Sequence, residues 1–362
     1  MHIAMVGRYP SPGRQAVGGV EVAVKRLVEA LVTAGLRLSV IAPGDPATLE
    51  EGALSVTFTP EDSRLGLLTR LRVWRSGARA ILRELEPDLI HGQSLIACAL
   101  AATDDPRGLP TVVTVHGNVM QDVLARRNGG AAHLRRVATK RLAVQAVSRA
   151  DAVVSVHPDW RLNVPTAVRR FVHIPNIVDE RFFDLPRRPE AGRVLFCGGN
   201  REVKGWDLLA DAWPEVTSRV PGATLELCGW PEHAATTRFG DTDTVRVTTD
   251  DSLEAVLEAT SRATVLVIPS RFDLAPIVLA EAWAARVPVV ATAVGGIPDL
   301  ARDAARLVEP SSPRALADAL VETLARSDGS SLVETGRERA EAHRASAVAS
   351  SHLQLYESFV SA

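Results

Sequence analysis

The feature that most limits what this chain can become is a short unit that returns along its length: four or five apolar residues, a turn residue, then a helical stripe. His2-Ile3-Ala4-Met5-Val6 stops at Gly7, and a loop with proline and glycine runs on into Gly18-Gly19. Val20, Val24, Leu27, Val28 and Leu31 then recur at the spacing of an amphipathic helix, which Gly35 can end, and Arg37–Ile41 is the next strand. Strand, glycine loop, helix and strand together are the building unit of a parallel α/β sheet.

The unit repeats. Thr69–Leu85 reads as a helix, and Leu89–His91, Thr111–Val115, Ala152–Val156 and Phe171–Ile174 read as strands. After a polar, proline-containing stretch from Asn176 to Gly192 a second series starts. It comprises strand Val194–Cys197, helix Trp206–Val216, strands Thr224–Cys228 and Thr244–Val247, helix Leu253–Ala259, strand Thr264–Ile268, helix Pro276–Ala285 and strand Val287–Ala291. The tail from Ala315 to Phe359 has helical composition and period. A chain of 362 residues exceeds one ordinary core, which stops growing near ~250 to 300 residues. The expectation is an α/β protein of two Rossmann-like domains facing across a cleft, since such sheets bind ligands at their carboxyl ends. Residues 1–178 form the first domain, 179–192 a linker, 193–340 the second domain, and 341–362 a C-terminal helix able to pack back on the first.

Composition removes several classes. Hydrophobic residues make up 46% and charged residues 23%, enough to fill two cores and too apolar for a disordered chain. Cys98, Cys197 and Cys228 form no metal or disulfide pattern, and no apolar run suits a signal peptide or a membrane span, so a cytoplasmic protein is expected. Residues 1–178 carry 22 Lys and Arg against 15 Asp and Glu, a net +7, and the remaining 184 carry 19 against 28, a net −9. No dinucleotide fingerprint, P-loop, nucleophile elbow or zinc-protease helix occurs, which argues against hydride transfer, P-loop kinases and serine hydrolases.

What remains suits phosphate. Gly18 and Gly19 precede a helix, where bare backbone lets an anion approach unsatisfied N–H groups. Gly198 to Gly205 runs from a strand into a helix and contains Arg201 and Lys204, one of only three lysines beside 38 arginines. Either residue could hold a diphosphate, or the segment is a solvated loop. Asp273 precedes a helix whose first turn is expected to hold Pro276, so Leu274, Ala275 and Ile277 can offer N–H groups there. Glu281 falls among apolar positions of that helix and needs a partner, a ribose diol or an arginine. His116 follows the strand Thr111–Val115, at the crevice end of the sheet.

The ordered set Gly18-Gly19-Val20-Glu21, Val115-His116-Gly117, Ile174-Pro175-Asn176, Lys204-Gly205, Ile268-Pro269-Ser270, Asp273 to Glu281, Pro288 to Thr292 and Gly295-Gly296-Ile297-Pro298 resembles the retaining glycosyltransferases of the GT-B fold, family 4. The resemblance covers nearly the whole chain. It implies a nucleotide-diphosphate sugar, UDP- or GDP-linked, held mainly by the second domain, and a hydroxyl acceptor held by the first. Glu281 matches the ribose-binding glutamate, Lys204 the phosphate lysine, and Gly18 and Gly19 the loop over the diphosphate. His116 matches a histidine contacting sugar and phosphate, and Asp273 and Leu274 the sugar-binding start of the E-x7-E motif.

Two departures stand out: Asp273 replaces the first glutamate, and Gly199 replaces an arginine, a role that passes to Arg201. The resemblance implies front-face attack, with the protein positioning groups and neutralising the diphosphate, His116 and Asp273 at the reacting end, and no metal or cofactor. The acceptor class stays open between secondary metabolite, glycolipid and polysaccharide, and no nucleic acid is expected. A nucleotide-sugar epimerase and a non-catalytic GT-B subunit are the alternatives. Arg126, Arg127, Arg135, Arg136, Lys140, Arg141 and Arg149 form a basic stretch, read either as a peripheral contact with anionic membrane at the inner surface or as a solvated helix face.

Overall fold

The computed structural model describes residues 1–16, 18–60, 67–93, 102–103, 107–117, 141–142, 144–159, 168–199, 201–240, 243–325 and 331–360. Two compact units divide the chain: Met1–Ile177 with Ala345–Ala362, and Val178–Arg344.

In the first unit β1 (His2–Val6), β2 (Arg37–Pro43), β3 (Ala47–Glu51), β4 (Leu54–Thr59), β5 (Leu89–Gln93), β6 (Thr111–Val115), β7 (Ala152–Ser155) and β8 (Phe171–His173) form one sheet, in the order β3-β4-β2-β1-β5-β6-β7-β8. Neighbours run parallel, except that β3 pairs antiparallel with β4. Adjacent residues of β1 show why both faces must be covered. Ile3 and Met5 pack with Val24, Leu27 and Leu31 of the helix Gly19–Thr33, whereas Ala4 and Val6 pack with Trp74, Ala78 and Leu82 of the helix Leu67–Glu84. Gly35, at φ 90°, ends the first helix, with the Leu36 N–H bonded to the Leu31 carbonyl. The helix Ala345–Val360 sends Val348, Ala349, Leu355 and Tyr356 into the same cluster as Ile3 and Val24.

The hairpin β3–β4 is absent from the sequence reading. Its exposed strand β3 carries no apolar pattern, although Val56 and Phe58 of β4 alternate into the core and Gly52 turns the chain at φ 57°.

In the second unit β9 (Arg193–Phe196), β10 (Thr224–Cys228), β11 (Val245–Thr248), β12 (Val265–Ile268), β13 (Val289–Thr292) and β14 (Arg306–Val308) form a parallel sheet in the order β11-β10-β9-β12-β13-β14. Val194 and Phe196 face the helices Trp206–Arg219 and Pro313–Ala325, and Leu195 faces the helix Ile277–Ala284.

Residues 179–192 do not form a free connector. Phe182 and Phe183, on a short helix Glu180–Phe183 begun by the Asp179 side chain, are buried in the second core. The Arg187 guanidinium donates to the carbonyls of Thr260 and Ala263, and the Arg188 and Glu190 N–H groups to those of Ser261 and Arg262. An apolar pair and a set of capping donors turn a polar-looking stretch into part of the domain. The chain returns to the first unit at Ala345, not at 341, because the turn Glu341–His343 still bonds the Val178 N–H.

Candidate functional site

A doubly wound sheet opens a crevice where the chain reverses its direction of winding, beyond the carboxyl ends of the two central strands. In the second unit that point lies between β9 and β12. Lys204 follows the first and Asp273 the second, and they meet: Lys204 Nζ is 2.6 Å from Asp273 Oδ2, with the side chains 28% and 14% exposed.

Backbone fit brings them together. Gly205 is left-handed at φ 69°, and a Cβ there would lie 1.8 Å from the Pro269 carbonyl oxygen. The Arg271 N–H donates to the Val203 carbonyl at 2.9 Å, joining the two loops. On the far side the Gly296 N–H donates to the Asp273 carbonyl at 2.9 Å, and a Cβ on Gly295 would lie 2.0 Å from that oxygen. The loop carrying Asp273 is thus pressed between the loops after β9 and β13.

Pro276 caps the helix Ile277–Ala284 from outside, without a side-chain bond, instead of lying in its first turn as the sequence suggested. The open helical donors therefore begin at Ile277, and Leu274 and Ala275 belong to the turn before it. The Leu274 side chain is buried, which leaves its backbone as the part able to face a ligand. Glu281 lies one turn beyond Ile277 and is buried. The Cys197 thiol, just past β9, is pushed well up by a hydrogen bond with the free Cys228 thiol and by burial, with smaller contributions from the charges of Glu281 and Glu226.

Arg201 is exposed before the turn Glu202–Lys204 and has no ion-pair partner among the described residues. Gly199, where the resemblance implies an arginine, adopts φ 59°, a conformation in which an arginine would be strained. Among the described residues no group of three or more His, Cys, Asp or Glu side chains could hold a metal.

In the first unit Gly18, at φ 79°, precedes the helix Gly19–Thr33 with no side-chain cap, and both glycines are exposed. His116 stands at the end of β6, its Nε2 2.7 Å from Gln93 Oε1. Burial pushes its pKa down to about 4, although Asn176 favours the charged form. The sequence reading missed Gln93, Thr114, His352 and Tyr356 and set His91 aside: Gln93 joins His116 to His91, and Thr114, Tyr356 and His352 lie against His91. The sequence's one available signal is His91-Gly92-Gln93, an alternation that points two polar side chains to the same sheet face. Of the basic stretch, Arg141 and Arg149 are exposed and the other five residues lie outside the described residues. Among the described residues no helix is long and apolar enough to cross a membrane.

Two family models match the chain: "Glycosyltransferase Family 4" over residues 17–182 and "Glycosyl transferases group 1" over residues 191–326. A D-inositol 3-phosphate glycosyltransferase 1 of Catenulispora acidiphila is 26% identical over 262 residues, 64% of this chain and 63% of that protein. A D-inositol 3-phosphate glycosyltransferase of Corynebacterium urealyticum is 25% identical over 378 aligned positions, covering 91% of this chain and 88% of that protein. Among solved structures, a sucrose-phosphate synthase of Thermosynechococcus elongatus superposes with TM-score 0.82 at 21% identity over 99% of both chains. Anabaena HepE in complex with UDP and glucose superposes with TM-score 0.75 at 16% identity, over 98% of this chain and 99% of that one.

Proposed function

The chain belongs to the group 1, family 4 glycosyltransferases of the GT-B fold, and from that premise we propose that it moves a sugar from a UDP- or GDP-linked donor to an acceptor hydroxyl with retention at the anomeric carbon. One observation carries the reading: the Lys204–Asp273 pair at the winding reversal of the second sheet, beside the first turn of a helix that buries Glu281. Lys204 has three donors and spends one on Asp273, so the others can take diphosphate oxygens together with the Ile277 N–H and Arg201. Glu281 can accept from a ribose diol, and Asp273 can hold a sugar hydroxyl while keeping Lys204 in place.

In the proposed step the bond from anomeric carbon to diphosphate oxygen breaks, the acceptor oxygen bonds the same face of that carbon, and the acceptor proton passes to the departing diphosphate. The protein's task is to place the reactants and neutralise the growing charge, without a metal or a bound cofactor. The relatives named for D-inositol 3-phosphate make a small phosphorylated polyol the first acceptor to try. The basic stretch gives the proposed acceptor-binding unit a peripheral contact with anionic membrane, and loss of salt-sensitive sedimentation with anionic vesicles would remove that part of the reading.

The deciding measurement is calorimetric titration of the full chain with UDP and GDP. Glu281→Ala and Lys204→Ala are expected to weaken nucleotide binding about ten- to a hundredfold, since a hydrogen bond to a charged group is worth ~1.5–3 kcal/mol. Unchanged affinity in both variants overturns the assignment.

A further inference from the structure

The first unit contains a chain of buried polar groups that nucleotide binding does not explain. Its sheet reverses winding between β1 and β5, and Gln93 fills that point: a Cβ on Gly7, just after β1, would lie 2.7 Å from the Gln93 Cβ. From Gln93 the contacts run both ways. His116 Nε2 is 2.7 Å from Gln93 Oε1, and Gln93 Nε2 is 3.2 Å from His91 Nε2. His91 Nε2 is also 2.7 Å from Thr114 Oγ1, and His91 Nδ1 is 2.6 Å from Tyr356 Oη. His91, Gln93 and Tyr356 are fully buried.

With the Gln93 oxygen toward His116 and its nitrogen toward His91, the amide sets one order of protons along the chain, and the Tyr356 and Thr114 hydroxyls, able to donate or accept, conform to it. His116 donates its Nε2–H to the Gln93 oxygen. The Gln93 amide nitrogen donates to a bare His91 Nε2, shared with the Thr114 hydroxyl, and the His91 Nδ1–H donates to the Tyr356 oxygen. His116 is left with a bare Nδ1, a buried atom that makes no hydrogen bond of good geometry, on a ring that also has the Asn176 side chain beside it. Burial holds the rings neutral, pushing His116 and His352 down to about 4 and His91 well below its ordinary value.

We propose that Gln93 is a positioning residue: with His91 and Tyr356 behind it, it fixes His116 as the Nε2–H tautomer, so that Nδ1 accepts a hydrogen bond from a sugar or acceptor hydroxyl. The choice of ligand rests on the transfer reading above; the tautomer does not. A bare Nδ1 cannot donate to a phosphate oxygen, so in this form His116 serves a hydroxyl and not the diphosphate. Tyr356, in the C-terminal helix, holds the far end of this order by accepting from His91. Without its oxygen, the His91 proton is better placed on Nε2, facing Thr114. Gln93 then turns its amide end for end and donates to His116 Nε2, and the His116 proton moves to Nδ1.

The test is nitrogen NMR of the full chain with ¹⁵N-labelled histidine at pH 7, with the His116 signals assigned by difference from His116→Asn. Long-range proton–nitrogen correlations are expected to show Nε2–H in the native protein and in Gln93→Glu, whose carboxylate still accepts that proton. They are expected to show Nδ1–H in Tyr356→Phe. An Nδ1–H tautomer in the native protein, or an unchanged tautomer in Tyr356→Phe, overturns the proposal. In turnover assays Gln93→Leu is expected to lower kcat at least tenfold with nucleotide affinity unchanged, and Gln93→Glu to restore part of it; equal loss in both overturns the positioning role. Should Gln93→Leu fail to fold, the Tyr356→Phe spectrum decides. A chain that binds neither UDP nor GDP yet shows the expected tautomers sinks the transfer reading and leaves the Gln93 assignment standing, and the reverse pattern does the opposite.

Discussion

The two sheets reverse their winding at equivalent places, and what stands there differs. Between β1 and β5 the chain puts Gln93, with His116 and His91 bonded to it, all neutral. Between β9 and β12 it puts a lysine against an aspartate, each still partly open to water. The physical difference is the cost of burial. Neutral donors and acceptors can be sealed in once each is bonded, whereas a charge pair stays affordable near solvent, where a new anion can also reach it. The same kind of crevice therefore carries neutral polar groups in one unit and a charge pair in the other by the choice of a few residues after each strand. Net charge points the wrong way here. The Lys204–Asp273 pair, proposed to meet the anion, belongs to the more acidic half of the sequence, since nearby groups and not totals set the local field.

Acid should separate the two units most strongly. His116 and His352 fall from an ordinary 6.5 to about 4 in the folded protein, so below pH 6.5 the unfolded chain binds protons that the folded chain refuses. The first unit is expected to be fully stable above 6.5 and to lose on the order of 3 kcal/mol per histidine as pH falls to 4. The groups facing these rings are Gln93, Asn176, His91, Tyr356 and the Val348 carbonyl. Hydrogen exchange read by mass spectrometry between pH 7 and 4.5 should show peptides of β1, β5 and β6 opening first; earlier opening of β9 and β12 would reverse the contrast.

A smaller effect tests the backbone behind the charge pair. Gly205→Ala adds a Cβ 1.8 Å from the Pro269 oxygen at φ 69°, and strain of this kind costs ~1–3 kcal/mol. A drop in thermal midpoint with weakened UDP or GDP binding is expected, and a variant that melts and binds like the native protein would mean that the loops are not locked together. The smallest effect should come from Gly199→Arg, which restores the family arginine at φ 59° where nothing lies within 4 Å. We expect a stability loss of ~1–2 kcal/mol from the left-handed backbone and a gain in nucleotide affinity below tenfold, measured by calorimetry. A larger gain would show that Arg201 does not fill the vacancy.

The fold was legible wherever an element announces itself by period. The strand Thr224–Cys228 and the stripe of the helix Gly19–Thr33 follow directly from apolar spacing. Edges were not legible: β3 is exposed throughout and β14 has three residues, so neither carries a hydrophobic signature. The stretch 179–192 misled because proline and arginine read as solvent-facing, although here arginine caps a helix and two phenylalanines fill a core. Of the candidate site, Lys204, Asp273 and His116 stood out through their places beside strand ends and helix starts, and Glu281 as an acidic residue among apolar helix positions. That Lys204 grips Asp273, and that Tyr356 bonds a histidine 265 residues away, could not be read from local pattern.

The sequence alone determined two α/β series, the strands that end them and the residue types offered at those ends, because periodicity and turn chemistry act within a few residues. Tertiary structure decided which of those residues meet. Glycines at 205 and 295 admit close contacts whose necessity appears only when a distant carbonyl arrives, and the hydroxyl that meets His91 is delivered by the last helix. Hydrogen bonds and charge pairs act over about 3 Å in space at any separation along the chain, and folding is what sets those distances.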